Sequence, residues 1–161
     1  MERLKNPKMY KLAKEEGEKA FIEAINNSIY KPIAVSQAFE DDDKSGHYDV
    51  KMLEYDVRLE ANAWHFVDVK DVEEKNFNTG NYVLRKPFIE FHTELKPYGY
   101  YTAFRIVENG KRTSKFVLVG TQEMLMKCNI IDKGSYCLVP LADVKEKCNY
   151  RLVQEEEIQE M

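Results

Sequence analysis

Asp56, Asp68 and Lys70 are the residues of this chain whose types and spacing suit catalysis. If the stretch from Tyr55 to Asp71 forms a hairpin folded about residue 62, Asp56 lies directly across from Asp68, with Lys70 two residues further on. Two carboxylates meeting an ammonium can hold a divalent cation and activate a water. A solvated sheet face yields the same pattern with no chemistry, because the chain is 32% charged and opposite charges two residues apart are ordinary there. Asp-Val-Lys also recurs, beginning at residues 49, 68 and 143. Asp49 lacks an equally well-placed upstream partner, and Asp132 and Asp143 flank a strand ending near a proline instead of a turn. The pair is therefore assigned to Asp56 and Asp68.

The hairpin is read from side-chain period. Val57 and Leu59 alternate with Asp56 and Arg58, Val67 and Val69 alternate with Asp68 and Lys70, and Glu60 to Ala63 form a polar connection. Successive strand residues point to opposite faces, so Val57, Leu59, Val67 and Val69 are expected in the core and Asp56, Asp68 and Lys70 on the open face. The first strand, 48–60, is long enough to predict a break near Leu53-Glu54, and the second is expected over about 64–70.

Asn6-Pro7 marks a helix start. Met9, Tyr10, Ala13, Gly17, Ala20, Phe21, Ala24 and Ile25 then form one stripe to about Asn27, the pattern of a helix laid on a sheet. Residues 31–35 read as a short extended piece and 39–46 as an acidic loop. Strands are expected over Tyr82 to Phe91, in an apolar segment through Val107, over Phe116 to Val119 and over Tyr136 to Leu141. Glu108-Asn-Gly-Lys111 gives a turn, a short helix starts at Thr121, and no internal repeat is visible. The order predicts an α/β fold, with α+β as the alternative, in which helices flank a central mixed sheet.

At 161 residues one domain over 1–161 is expected, with an acidic tail from about 154. A net charge of −4 argues against a general basic coat, although acidic runs at 40–43 and 155–157 leave room for a local basic groove. Cys128, Cys137 and Cys148 lack Cys-x-x-Cys spacing and read as reduced cytoplasmic thiols. His47, His65 and His92 are scattered, unlike a zinc set. The start lacks a signal-peptide core, and no apolar run reaches membrane-spanning length, so a soluble cytoplasmic protein without membrane contact is expected.

With the acids on a hairpin between helices, the chain resembles the PD-(D/E)xK nuclease superfamily, and within it small phage- or prophage-encoded members. Asp56 matches the first acid and Asp68-Val69-Lys70 the (D/E)-x-K. Asp71, Thr79-Gly80-Asn81, Glu90, Lys96-Pro-Tyr-Gly99 with Thr102-Ala103, and Tyr136 to Leu141 follow in the same order, so the resemblance covers roughly residues 15–144. Asp68 replaces the more frequent glutamate, Tyr98 stands where a serine is expected, and Phe104 stands where a polar residue is usual.

The resemblance implies a restriction-endonuclease-like core and hydrolysis of phosphodiester bonds, with DNA as the expected substrate. Asp56, Asp68 and the Val69 carbonyl would hold Mg²⁺ or Mn²⁺, and Lys70 would orient or deprotonate water and stabilise developing charge. Glu18, preferred over Glu16, is the candidate additional acid. Lys51, Arg58 and Lys96, along with Arg85 and Lys86, are candidate phosphate contacts. Trp64, Tyr98 and Tyr100 are candidate stacking residues. A homo-oligomer is allowed. The alternative is a catalytically inactive module of the same fold that binds nucleic acid or a protein partner.

Overall fold

A computed structural model describes residues 7–37, 49–85 and 99–155 of the chain. Helix α1 (Pro7–Asn26) begins on its proline, whose missing N–H costs nothing in a first turn, and its Phe21, Ala24 and Ile25 are buried. Then follow β1 (Ala34–Gln37), β2 (Val50–Asp56), β3 (Ala61–Glu73), the short helix α2 (Asn76–Thr79) and β4 (Asn81–Arg85). The last part holds β5 (Tyr100–Glu108), β6 (Lys111–Gly120), α3 (Thr121–Lys127), β7 (Ile131–Asp132), β8 (Tyr136–Pro140), α4 (Leu141–Lys147) and β9 (Arg151–Val153). Helix α4 and strand β9 lie between the strand expected to end at Leu141 and the acidic tail expected from about 154, where no element was predicted.

The larger sheet has the order β1-β2-β3-β5-β6-β9, and the smaller has the order β4-β8-β7. Neighbours in the larger sheet are antiparallel except β3 and β5, which run parallel. The architecture is thus α/β with a central mixed sheet between helices, as the element order predicted. On one face, Val50, Met52, Val67, Ala103, Phe116 and Leu118 close over α1, where Phe21 meets Phe116 edge to face at 5.3 Å. On the opposite face, Val72, Phe104, Val117 and Val119 pack with Phe77, Leu84, Met124, Val139 and Val144. Burying each of the Val, Leu, Met and Phe side chains contributes on the order of 1.5–3 kcal/mol.

The hairpin forms, but in a different register from the one expected. Strand β2 is unbroken and pairs with β3 so that Val50 faces Val67, Met52 faces His65 and Asp56 faces Ala61. The turn is the tight Val57–Glu60, closed by the Asp56 carboxylate, which accepts the N–H groups of Arg58 (2.9 Å) and Leu59 (3.4 Å), with Glu60 at φ 52°. Asp56 therefore lies seven residues along β3 from the position expected, roughly 23 Å from Asp68 at 3.3 Å per residue. Because that slip is odd, Asp56 also points to the face opposite Asp68. Burial explains the choice. The observed register buries Val50 and Met52 completely beneath α1, while Val57 and Leu59, expected in the core, are 78% and 65% exposed.

A repeat that the sequence does not announce appears in three dimensions. At an offset of 20 residues, Leu118-Val119 recurs as Leu138-Val139, Glu123 as Asp143, and Lys127-Cys-Asn129 as Lys147-Cys-Asn149. The two units clasp reciprocally. The Asn129 N–H donates to Asp143 Oδ2 at 2.8 Å, and the Asn149 N–H donates to Glu123 Oε1 at 2.6 Å. Cys128 and Cys148 meet between them at 3.8 Å, both buried.

Candidate functional site

Extending the β2–β3 register by one residue sets Asp49 beside Asp68. The Asp49 N–H donates to the Val67 carbonyl at 2.9 Å, and Asp49 Oδ2 accepts the Val69 N–H at 2.9 Å. The carboxylate thus takes the place of a backbone acceptor where β2 begins, which ties it to β3. Asp49 and Asp68 are 2% and 7% exposed. Lys70, two residues beyond Asp68 and hence on the same face, brings Nζ to 3.6 Å from Asp68 Oδ2 and keeps part of its length in solvent. Val69 lies between them, and its carbonyl leaves the strand on the same edge as the N–H that holds Asp49.

The surroundings are polar at the pair and apolar behind it. Thr102 pairs with Asp68 across the parallel ladder, and its hydroxyl meets that of Thr121 at 3.0 Å. Tyr82 of β4 packs edge to face on Phe104 at 5.1 Å. Burial, then the nearby charges of Asp68 and Asp49, push its phenol well above its ordinary value. It therefore stays a neutral O–H group, fit to donate a hydrogen bond.

Asp56 belongs to a second cluster on the α1 face. Arg58 contacts both of its carboxylate oxygens, at 2.8 and 3.2 Å, and His65 Nε2 approaches at 3.2 Å. Hydrogen bonding from Arg58 first, and from His65 in addition, holds the Asp56 carboxyl well below the usual carboxylate range despite opposition from burial. His65 Nδ1 lies 3.1 Å from Glu54, which also accepts Arg151 at 3.0 Å. The resulting line of alternating bases and acids, Arg151, Glu54, His65, Asp56 and Arg58, ties the hairpin tip to β9. This cluster removes both Asp56 and Arg58 from the expected site.

The other expected residues divide. Asp68, Val69 and Lys70 come together, and Lys51 lies on the same face, its ammonium 4.7 Å from the Trp64 ring centre. Glu18 is buried and accepts Gln37 Nε2 at 2.6 Å. Glu16 turns away to a two-point ion pair with Arg105. Among the described residues no group of three or more His, Cys, Asp and Glu side chains could hold one metal ion. Lys96 and Tyr98 lie outside the described residues.

The residues missed by sequence reasoning are Asp49 and Tyr82. Asp49 could have been found from Val50-x-Met52, whose alternation continues the core of β2 when the turn is placed at 57–60. Nothing local marks Tyr82, which feels both charges from another sheet. The donor chemistry fits a hard divalent ion: two carboxylates and a carbonyl offer oxygen ligands only, and the lysine limits repulsion between the acids.

The chain matches no protein-family model, no curated protein and no solved structure.

Proposed function

We propose that the protein is a metal-dependent nuclease that hydrolyses phosphodiester bonds, with DNA as substrate, at Asp49, Asp68 and Lys70. The observation that carries this reading is the hydrogen bond from the Val69 N–H to Asp49, which fixes a second carboxylate beside the Asp68-x-Lys70 strand. A bound Mg²⁺ or Mn²⁺ supplies charge screening for the phosphate and a water of lowered pKa. Asp49, Asp68 and the Val69 carbonyl would hold the ion. Lys70 orients the attacking water and stabilises negative charge as it develops. Tyr82, neutral and close enough to feel both carboxylates, would be available as a hydrogen-bond donor.

The assignment of Asp49 over Asp56 is directly testable. Wild-type protein incubated with single-stranded, duplex and branched DNA, and with RNA, should cleave at least one of them when Mg²⁺ or Mn²⁺ is added. Asp49→Asn, Asp68→Asn and Lys70→Met should each lower the rate by about a hundredfold or more, while Asp56→Asn keeps it. Loss of cleavage in Asp56→Asn with full activity in Asp49→Asn would overturn the assignment.

One observation favours a second reading, a nucleic-acid-binding module without hydrolysis: Glu18 is engaged by Gln37, and among the described residues no three acidic, His or Cys side chains form a metal-holding group. On that reading the wild type binds DNA with no metal-dependent cleavage of any substrate.

A further inference from the structure

We infer that the face of the β2–β3 hairpin carrying Asp68 is a stacking track that delivers a single-stranded nucleic acid to the Asp49–Asp68 pair. The inference rests on the nuclease reading for what lies at the end of the track.

The register sorts the hairpin's side chains into two unlike faces. Behind it, toward α1, lie Glu54, Asp56 and His65. In front, moving away from the acid pair, Lys51 is across from Phe66, Leu53 from Trp64 and Tyr55 from Asn62. The carboxylates of β2 beyond Asp49 thus all point to the back. In a chain of net charge −4, the hairpin's front face between the acid pair and the tip has, among the described residues, a lysine and no acid. That charge pattern admits a phosphate backbone.

The exposed rings are Tyr55, Trp64 and, in part, Phe66, which lies 5.2 Å from the buried Tyr100 ring at an inclination of 36°. Trp64 is 40% exposed despite the Lys51 ammonium near its ring, and Tyr55 is 59% exposed. Isolated exposed aromatics need no explanation, but a file of them along one face, ending at two carboxylates and a lysine, matches the stacking platforms used for unpaired bases.

Spacing selects single strands over duplex. Successive pairs on one face are two residues apart, roughly 6.7 Å, about twice the 3.4 Å rise per nucleotide of a duplex strand. Bases can occupy successive positions only if the strand is drawn out of duplex stacking. A duplex would instead present its phosphates to the rings and leave them without partners.

Trp64 is the chain's only tryptophan, so its fluorescence reports on the track directly. Titrating wild-type protein in EDTA with an oligothymidylate should quench Trp64 saturably, and blunt duplex of equal length should bind at least about tenfold more weakly. By anisotropy of a labelled oligonucleotide, Trp64→Ala and Tyr55→Ala should each weaken binding by about tenfold, while Trp64→Phe keeps most of the affinity. Circular dichroism checks the fold of each variant. Equal or tighter duplex binding, absence of quenching, or unchanged affinity in both alanine variants would overturn the track. So would a Trp64 signal that follows protein concentration without oligonucleotide, which would mark the face as a contact between two copies.

Binding is read without metal, so the two readings can fail separately. Quenching by single strands with no cleavage by any metal leaves the track and removes the nuclease. Metal-dependent cleavage without quenching does the reverse.

Discussion

Two carboxylates enclosed side by side repel each other, and Asp49 and Asp68 bear this with the Val69 N–H on one and the Lys70 ammonium on the other. Removing one charge while keeping the oxygen that accepts the Val69 N–H should therefore stabilise the metal-free protein. We expect Asp49→Asn to raise stability in EDTA by about 1 kcal/mol, read from the urea midpoint, as is common where a site is built for function. A fall in midpoint would show that the pair is not mutually repulsive. His65 gives a pH signature of its own. The Glu54 hydrogen bond raises its pKa, burial opposes, and Asp56 raises it further, so the folded value lies above the unfolded value near 6.5. The stability this gives is complete below about pH 6.5 and is lost as pH rises through the folded pKa. Compared with His65→Gln, the wild type should lose thermal stability as pH climbs from about 6 into the alkaline range; parallel curves would refute the clamp. Asp68 and Lys70 were legible from sequence because x-spacing on a strand is local. Asp49 was not, because its role depends on where the turn falls.

The turn is the element that decided the register. Helix α1 and the helix at Thr121 were readable from a cap and a periodic stripe, and the mixed sheet followed from the order of elements. The turn at 57–60 carries no Gly or Asn. Its signal is a carboxylate, Asp56, closing over two backbone N–H groups, and the same aspartate read equally well as a metal ligand. Alternation alone could not choose between burying Val57 with Leu59 and burying Val50 with Met52, since both sets have the same period. The choice was made by α1, a distant element. A second connection is fixed by Gly80 after α2. A Cβ there would come within 2.5 Å of Asn76 Cβ and 2.9 Å of its Cα, and the Gly80 carbonyl accepts the Leu141 N–H at 3.1 Å. Backbone on backbone cannot yield cheaply, so Gly80→Ala should cost about 1–3 kcal/mol in urea unfolding. An unchanged midpoint would show that the α2–β4 junction gives way.

Across the whole molecule, two cores share one sheet, and the twofold-like clasp of α3 and α4 closes the second. Burial first, and the neighbouring Cys148 next, push the Cys128 thiol up to about 12, so almost none is thiolate near neutrality. Alkylation of Cys128 and Cys148 by iodoacetamide should proceed at the pace of unfolding and rise with urea; rapid labelling of native protein would show that the clasp opens alone. The sequence concealed this pairing because the repeated units share few identities beyond Lys-Cys-Asn, and symmetry shows only when both hydrogen bonds are seen. The hairpin register has one more consequence, and it concerns time. The β2–β3 pairing joins residues of one short stretch, whereas the parallel partnership must bring Tyr100 back to Phe66, and near contacts tend to form before distant ones. Asp49 and Asp68 then confront each other early, while much of the chain is still unfolded. The gain from Asp49→Asn should accordingly appear in stopped-flow traces as faster refolding with little change in the unfolding rate: the acids tax the chain's assembly more than its persistence.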